Sequence, residues 1–392
     1  MKKVYLAVIY VFMLSLCACE VHTPAESPRP SQMIVSMPEA LPSEPAPQEP
    51  HDKSDPVSEL LSGMTLEEKV GQLFFVRTPR EDVIADIQQY HLGGLILFGE
   101  DTEEKTANEL IQTLQSYQDA ATLPLLIGAD EEGGTVVRLS SNPHLSNSRF
   151  PSPQELFAQG GLDAVRAGTR EKNIFLRAMG VNVNLAPVAD VSTDPSDYIH
   201  KRTLGQDAQA TADYISVVTQ QMARDQVGSV LKHFPGYGNN VDTHTGISVD
   251  TRPLETFQTA DFLPFLAGFE AGGETTAVMV SHNIMTCVDD TRPASLSPAV
   301  HELLRKELNF GGVIMTDDLY MDAVAAYGED GRVAVMALQA GNDMLATTNY
   351  REEIPAVLEA IKNGDLTEEQ IEGACMRVLK WKQALGLFSA SE

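Results

Sequence analysis

Eight short apolar runs alternate with longer amphipathic segments along most of this chain, and few folds accommodate that pattern. Each run is rich in Val, Ile, Leu or Phe, as is typical of strands that are buried on both faces. The predicted strands are residues 72–77, 94–98, 123–128, 181–187, 228–232, 277–281, 312–315 and 343–346. Eight strand–helix repeats predict an α/β fold, a single closed (β/α)₈ TIM-like barrel, rather than an open doubly wound sheet.

The amino-terminal residues predict export. Two lysines, an apolar run from Val4 to Leu16 and a small residue before Cys19 are typical of a signal peptide, and the run is too short for a permanent membrane span. The end of this segment resembles a bacterial lipobox, in which Cys19 is acylated and becomes the mature amino terminus. Cleavage nearby as an ordinary signal peptide is the alternative.

Three regions follow from this organisation. Residues 1–18 are predicted to be the lipoprotein signal peptide, and residues 19–55 a disordered linker rich in Pro, Ser and Glu. Such a linker cannot bury enough apolar surface to offset its ordering entropy, so it acts as an extended tether. Residues 56–392 are predicted to form the barrel. We expect an extracytoplasmic protein that is attached to the bacterial cell membrane by lipid.

Charge and cysteine content exclude several classes of protein. With 55 acidic and 28 basic residues the net charge is −27, which argues against nucleic acid and against electrostatic docking to anionic lipid. Apart from Cys17 and Cys19 in the export signal, only Cys287 and Cys375 remain, so a disulfide scaffold is excluded. Whether these two cysteines pair is left open.

Polar residues follow five consecutive predicted strands. They are Asp130, Asp190, Lys232 with His233, His282, and Asp317 with Asp318. A parallel barrel assembles its active site at the carboxyl ends of its strands, from separate loops. We therefore expect these side chains to converge on one site.

Asp317 ends the apolar run that begins at Gly312. A carboxylate held by a rigid strand suits a nucleophile that must approach a reacting carbon from one direction. The structural alternative is a helix N-cap, for which aspartate is a favourable residue. We expect Asp317 to be the nucleophile and the neighbouring Asp318 to have a capping or supporting role.

An Asp-Thr-His sequence at 242–244 follows a loop rich in glycine and proline. Free imidazole titrates at about pH 6.5, so His244 could donate and accept protons, with Asp242 fixing its orientation. A solvated loop histidine beside an unrelated aspartate is the alternative. The preceding loop favours an acid/base role for His244.

Two further segments are candidate binding elements. Lys232 and His233 end an apolar strand, where a buried lysine needs a partner such as Asp190 or a ligand hydroxyl. Asp130 and Arg138 lie eight residues apart across a glycine turn, an arrangement suited to holding vicinal hydroxyls. The intervening Glu131 and Glu132 are expected to belong to a solvated loop.

Residues 130–138, 232–238, 242–244 and 316–319 together resemble family 3 glycoside hydrolases of the NagZ type, which are β-N-acetylhexosaminidases of peptidoglycan turnover. Residues 184–191, Arg202 and residues 292–295 match further, and the resemblance runs from about residue 60 to residue 386. It implies a retaining exo-β-N-acetylglucosaminidase that needs neither a metal nor an organic cofactor. Its partner would be a glycan containing N-acetylglucosamine, and a monomer is expected.

The resemblance also assigns roles to individual residues. It implies that Asp317 is the nucleophile, His244 the acid/base and Asp242 its partner. The implied contacts to N-acetylglucosamine are Asp130, Arg138, Arg202, Lys232 and His233. Family relatives that are β-glucosidases take the acid/base from a second domain, whereas this chain ends soon after the predicted barrel, so the acid/base is expected within it.

The sequence departs from the family pattern at Tyr237, where histidine is usual, and at Thr243, where serine is usual. Neither change removes a catalytic group, although Tyr237 bears on loop geometry and leaving-group preference. The competing hypotheses are another exo-glycosidase such as a β-glucosidase or β-xylosidase, a catalytically inactive wall-binding lipoprotein, and a metal-dependent barrel hydrolase. Phosphate in place of water as acceptor is also left open.

Overall fold

A parallel sheet forms the centre of the computed structural model, which describes residues 55–240, 246, 248–325, 327–328 and 331–389. The described strands are β1 Phe74–Arg77, β2 Gly94–Leu97, β3 Leu126–Ala129, β4 Val183–Asn184, β5 Gly228–Phe234, β6 Val249–Asp250, β7 Thr276–Val280, β8 Ile284–Met285, β9 Ile314–Thr316 and β10 Leu345–Thr347. Eight of them pair in the order β10-β1-β2-β3-β4-β5-β7-β9, all parallel.

The sheet closes into a barrel between β9 and the start of β10. Met315 and Met344 form a parallel bridge, and the Thr316 amide donates to the Met344 carbonyl at 3.1 Å. The predicted (β/α)₈ barrel is confirmed, and each predicted strand overlaps one barrel strand. Strands β6 and β8 form a separate two-stranded parallel ribbon at residues 249–250 and 284–285.

Helices surround the sheet. The described α-helices are α1 Pro56–Gly63, α2 Leu66–Gln72, α3 Val83–Tyr90, α4 Gly99–Thr102, α5 Ala107–Ala120, α6 Pro153–Ala178, α7 Ala208–Arg224, α8 Leu254–Thr256, α9 Phe262–Gly272, α10 Pro298–Glu302, α11 Asp322–Ala325, α12 Arg332–Ala340, α13 Tyr350–Asn363 and α14 Glu368–Ala384. Several of them begin with capping boxes, among them α2 and α14. Thr65 and Glu68 cap α2, and Thr367 and Gln370 cap α14, so four amide groups at helix ends are satisfied.

Phe75 fills the inside of the barrel, and two glycines make room for it. It is fully buried on β1, and a Cβ at Gly94 or Gly128 would lie 2.8 Å or 2.5 Å from its ring. Large inward side chains on one strand therefore require small residues on its neighbours. The barrel is a packed core below the site, not a pore.

Cys287 is exposed and Cys375 is buried, and each is a free thiol. The open question of pairing is thus answered: they do not form a disulfide. Within the described ranges, no helix has both the length and the apolar character needed to cross a membrane. The predicted signal peptide, Cys19 and most of the predicted linker lie outside the described residues.

Glu353, in the first turn of α13, is a buried carboxyl group whose ionisation should affect the stability of the fold. Burial, opposed by a hydrogen bond from Thr347, raises the pKa of Glu353 to about 7. The folded protein therefore keeps a proton that the unfolded chain releases above pH ~4.3, so stability falls as pH rises from there to about 7. We expect Glu353→Gln to raise the free energy of unfolding by about 2 to 3 kcal/mol at pH 8 and by much less at pH 5.

Urea denaturation at the two pH values measures this difference. Glu352→Gln is the matched control, because Glu352 is the adjacent carboxylate of the same helix turn and is exposed. It should change stability little at either pH. A gain from Glu353→Gln that is equal at pH 5 and pH 8 would contradict a raised pKa.

Candidate functional site

A pocket of about 700 Å³ lies at the carboxyl ends of the barrel strands. Its lining includes most of the residues that follow the predicted strands, although they are far apart in sequence. They are Asp130 after β3, Lys232 and His233 at the end of β5, and Asp317 and Asp318 after β9, joined by Arg138 and Arg202. The expected convergence of these side chains is thus observed.

A row of five charged residues of alternating sign runs along one side of the pocket, and we call it the pocket floor: Arg138, Asp130, Lys232, Glu132 and Arg202. All of them line the pocket except Glu132, which joins Lys232 to Arg202. Arg138 Nη2 donates to Asp130 Oδ2 at 3.1 Å, and Lys232 Nζ donates to Asp130 Oδ1 at 2.7 Å. Lys232 Nζ also lies 2.7 Å from Glu132 Oε1. Arg202 closes the row with two bonds to Glu132, from Nε at 2.9 Å and Nη2 at 2.7 Å.

The partners of Lys232 differ from the expected one. Asp190 was named from the sequence, but Lys232 pairs with Asp130 and Glu132 instead. Burial alone would lower the pKa of Lys232, yet attraction to these two carboxylates holds it above its usual value. The ammonium group of Lys232 therefore stays charged in the pocket floor.

Glu131 and Glu132 correct a second expectation. A solvated loop was predicted for both, but the two residues are 0% and 5% exposed. Glu131 accepts hydrogen bonds from the backbone amides of Arg138 and Leu139 at 3.0 and 2.8 Å, and so fixes the segment that carries Arg138. Glu132 belongs to the pocket floor and was missed as a functional residue.

The Gly133–Gly134 pair gave a signal that could have identified this burial. Both glycines have positive φ, 105° and 63°, and a Cβ at Gly133 would lie 2.1 Å from the Pro151 carbonyl oxygen. A turn that tight, directly after a buried strand, keeps the preceding acidic residues at the barrel mouth.

His233 is held in one orientation by partners on both ring nitrogens. Nδ1 lies 2.8 Å from Asp190 Oδ2, and Nε2 lies 3.2 Å from Arg202 Nη2. Because the guanidinium only donates, Nε2 accepts, and the proton is assigned to Nδ1. Asp190 also accepts from the Tyr237 amide at 2.7 Å, so one buried carboxylate orders both His233 and the start of the following loop.

The loop after β9 presents Asp317 to the pocket. The Asp317 amide donates to the Val280 carbonyl at 3.0 Å, and Asp317 Oδ1 accepts from the Asp318 amide at 2.9 Å. Asp318 Oδ1 accepts from the Tyr320 amide. Helix α11 begins only at Asp322, so neither Asp317 nor Asp318 caps it. Of the two roles expected for Asp318, capping and support, the structure shows support, because its side chain stabilises a turn.

His282 supports this loop from behind. Its Nε2 lies 3.0 Å from the Asp318 carbonyl, and its Nδ1 lies 2.7 Å from Ser295 Oγ. The ring is fully buried. It joins the ends of β7 and β9 and fixes the backbone next to Asp317.

The predicted dyad residues Asp242 and His244 lie outside the described residues. On either side of them, Asn240 Nδ2 donates to Asp250 Oδ2 at 2.7 Å, so the chain before and after this segment is joined. Arg252 pairs with Asp250 and Asp261, at 2.7 and 3.0 Å. Burial raises the pKa of Asp261 to about 6 despite Arg252.

The site is rich in carboxylates, yet they are engaged by cations and amides. Throughout the part of the chain that the structure describes, no group of three or more His, Cys, Asp or Glu side chains is arranged to hold a metal ion. The described geometry suits recognition of a polar, uncharged ligand. Paired donors and acceptors line the pocket, and the Asp317 carboxylate lines it as well.

Comparison with known families agrees with this geometry. The family model described as Glycosyl hydrolase family 3 N terminal domain matches residues 65–381. The protein named beta-hexosaminidase LpqI from Mycobacterium tuberculosis is 32% identical over 328 residues, which covers 80% of this chain and 82% of that protein.

Two further relatives are longer than this chain. The beta-N-acetylglucosaminidase/beta-glucosidase of Cellulomonas fimi is 30% identical over 341 residues, covering 83% of this chain and 59% of that protein. A solved glycoside hydrolase family 3 beta-N-acetylglucosaminidase from Paenibacillus superposes with a TM-score of 0.77 at 29% identity. That match covers 84% of this chain and 64% of the other.

Proposed function

This chain belongs to glycosyl hydrolase family 3, and from that premise we propose that it is a retaining exo-β-N-acetylglucosaminidase. It removes terminal N-acetylglucosamine from the non-reducing end of a glycan. The observation that carries the proposal is the pocket floor facing the same pocket as Asp317, at the carboxyl ends of the barrel strands. Two of the similar proteins are named beta-N-acetylglucosaminidases, which supports the N-acetylated substrate.

The pocket floor supports binding of a sugar ring. Asp130 is mostly buried, yet it lines the pocket beside two cationic donors, Lys232 and Arg138. A carboxylate flanked by such donors can accept from one ring hydroxyl while its neighbours donate to the next. Because these groups are already held by each other, little ordering entropy is lost when the sugar binds.

The proposed reaction has two steps. In the first, an Asp317 carboxylate oxygen forms a bond to the anomeric carbon as the bond to the leaving oxygen breaks, and His244 gives its proton to that oxygen. In the second, His244 takes a proton from water, whose oxygen displaces Asp317 from the anomeric carbon. Asp242 orients the imidazole in both steps. Two displacements retain the β configuration.

A comparison of aryl glycosides tests the proposed substrate. We expect a 4-nitrophenyl β-N-acetylglucosaminide to be cleaved with a much higher kcat/KM than the β-glucoside and the β-xyloside. The β-glucosidase alternative is worth including because the Cellulomonas fimi relative is named for both activities. Equal or greater activity on the glucoside would overturn the N-acetyl preference, and no cleavage of any of the three would favour an inactive binding protein.

A variant of His282 tests how Asp317 is positioned. His282→Gln should lower kcat by about 10- to 100-fold with KM changed by less than about threefold, since the ring acts through the Asp318 carbonyl and does not touch substrate. Steady-state kinetics on the aryl N-acetylglucosaminide measures both constants. His301→Gln is the control, a buried histidine on α10 that bonds the Ser297 carbonyl. A rise in KM with unchanged kcat would contradict the positioning role.

We also propose that the protein is anchored through lipid at Cys19 and acts on peptidoglycan fragments outside the cytoplasm. The signal-like sequence and the Pro-rich linker support this. In cells fed labelled palmitate, Cys19→Ala should lose the label, whereas Cys17→Ala, two residues away, should keep it. Label retained on Cys19→Ala would disprove the anchor, and purified muropeptides that release no free N-acetylglucosamine would disprove the substrate source.

A further inference from the structure

Two exposed aromatic side chains stand at the entrance of the pocket. Tyr198 is 42% exposed and Tyr320 is 63% exposed, and both line the same pocket as Asp317. We call this pair the aromatic rim. The other large exposed apolar side chains of the described residues are aliphatic, and none of them lines this pocket. An exposed aromatic ring at the mouth of a polar site offers a flat apolar surface to part of a ligand.

Both rings of the aromatic rim are held by neighbouring residues that are themselves fixed. The Tyr198 ring centroid is 5.8 Å from that of Tyr237, which is 2% exposed and meets His233 edge-on at 5.2 Å. Asp190 in turn holds Tyr237 by its amide. The Tyr320 amide donates to Asp318 Oδ1, and this bond stabilises the turn that carries Tyr320. Both ring positions are therefore tied to the residues that shape the reactive part of the pocket.

The pocket changes character from its floor to its rim. The floor is buried and charged, with Lys232 only 2% exposed, whereas the rim is aromatic and open to solvent. A terminal sugar with all its hydroxyls bound matches the floor. A second pyranose, with polar edges and an apolar face of ring C–H groups, matches an exposed aromatic surface.

An exo-acting enzyme binds the terminal sugar at the closed end of its pocket, so the leaving group extends toward the entrance, where the exposed rings of the rim lie. The pocket volume of about 700 Å³ falls in the upper part of the usual range for ligand sites, so it has room beyond a single sugar.

We propose that Tyr198, supported by Tyr237, and Tyr320 form the subsite for the leaving-group sugar, and that this enzyme prefers a pyranose over a small alkyl leaving group. The inference rests on the proposed function. It assigns a purpose to Tyr237, one of the residues at which this sequence departs from the family pattern: its ring packs behind Tyr198.

The test compares two substrates that share the terminal sugar. N,N′-diacetylchitobiose has a pyranose leaving group, and methyl β-N-acetylglucosaminide has only a methyl group; release of N-acetylglucosamine is measured by chromatography. Tyr198→Ala and Tyr320→Ala should each lower kcat/KM for the disaccharide by roughly 3- to 10-fold more than for the methyl glycoside. The double variant should show a larger ratio, and Tyr198→Phe should behave as wild type.

Ile174→Ala is the control, an exposed aliphatic side chain on α6 that does not line the pocket, and it should leave the ratio unchanged. Equal losses on both substrates, or no loss on the disaccharide, would overturn the subsite. A wild-type protein inactive on both substrates would instead overturn the proposed function. In that event calorimetric titration with the disaccharide still decides the subsite: weaker binding to Tyr198→Ala sustains it, and equal binding ends it.

Discussion

Asp317→Ala is expected to lower kcat on an aryl β-N-acetylglucosaminide by at least about a thousandfold. The half-buried carboxylate lies in the pocket, its backbone is fixed by the Val280 carbonyl, and His282 holds the next residue. Without it no covalent intermediate forms, and water must attack without a positioned partner. Steady-state rates together with a circular dichroism spectrum separate lost chemistry from lost folding.

Azide gives this prediction a sharper readout. A small anion can occupy the space left by the Asp317 side chain and attack the anomeric carbon, so azide should restore turnover and give the α-glycosyl azide. Asp318→Asn is the matched control, because asparagine keeps the acceptor for the Tyr320 amide, and its kcat should fall by less than about tenfold. Wild-type turnover in Asp317→Ala would rule out the nucleophile assignment.

Glu132→Gln is expected to lower the free energy of unfolding by about 3 to 5 kcal/mol at pH 7, the usual cost of breaking a buried ion pair. Glu132 bonds Lys232 and Arg202, and glutamine cannot neutralise either cation. The same change should lower kcat/KM by at least about tenfold, since both cations would shift. Guanidinium denaturation and steady-state kinetics measure the two effects.

Glu131→Gln is the control for that variant. Glu131 is equally buried, but its described hydrogen bonds run to backbone amides and to Ser140. Glutamine can accept from the amides and donate to the serine hydroxyl, so we expect a loss of no more than about 1.5 kcal/mol. Equal losses in the two variants would mean that burial, and not the ion pairs, sets the cost.

The pocket floor also predicts acid sensitivity. Burial alone would raise the pKa of Glu132, but attraction to Lys232 and Arg202 outweighs it and holds the pKa well below the usual range. Lys232 and Arg138 lower the pKa of Asp130 in the same way. A depressed folded-state pKa adds stability that is present above pH ~4.3 and is lost as pH falls further. Glu132→Gln should therefore lose less stability than wild type between pH 5 and pH 3.

Much of the barrel could be predicted because buried parallel strands and capped helices leave local patterns. Strand ends were less predictable, as β5 illustrates. The predicted strand stopped at Lys232, yet pairing continues to Phe234, opposite Val280 on β7. The polar side chains of Lys232 and His233 ended the apolar run from which the strand was predicted. Backbone pairing depends instead on the neighbouring strand, about which a local sequence pattern carries no information.

The candidate site shows the same limit. Asp130, Lys232 and Asp317 were predictable because each follows an apolar run, and strand direction places their side chains at one end of a barrel. Glu132 was not, because its burial depends on Arg202 and Lys232, which lie 70 and 100 residues further along the sequence. A run of acidic residues looks solvated until its partners are known. The Asp242–His244 dyad stays a prediction.

The register of β5 has a consequence for how this protein can change over evolutionary time. Lys232 lies on a strand paired on both sides, so inserting or deleting one residue there would turn its side chain to the opposite face and remove the pocket floor. Tyr198 and Tyr320 lie outside the strands and can be exchanged without altering any pairing. Selection can thus change which leaving group the enzyme accepts, while the terminal sugar that it recognises stays the same.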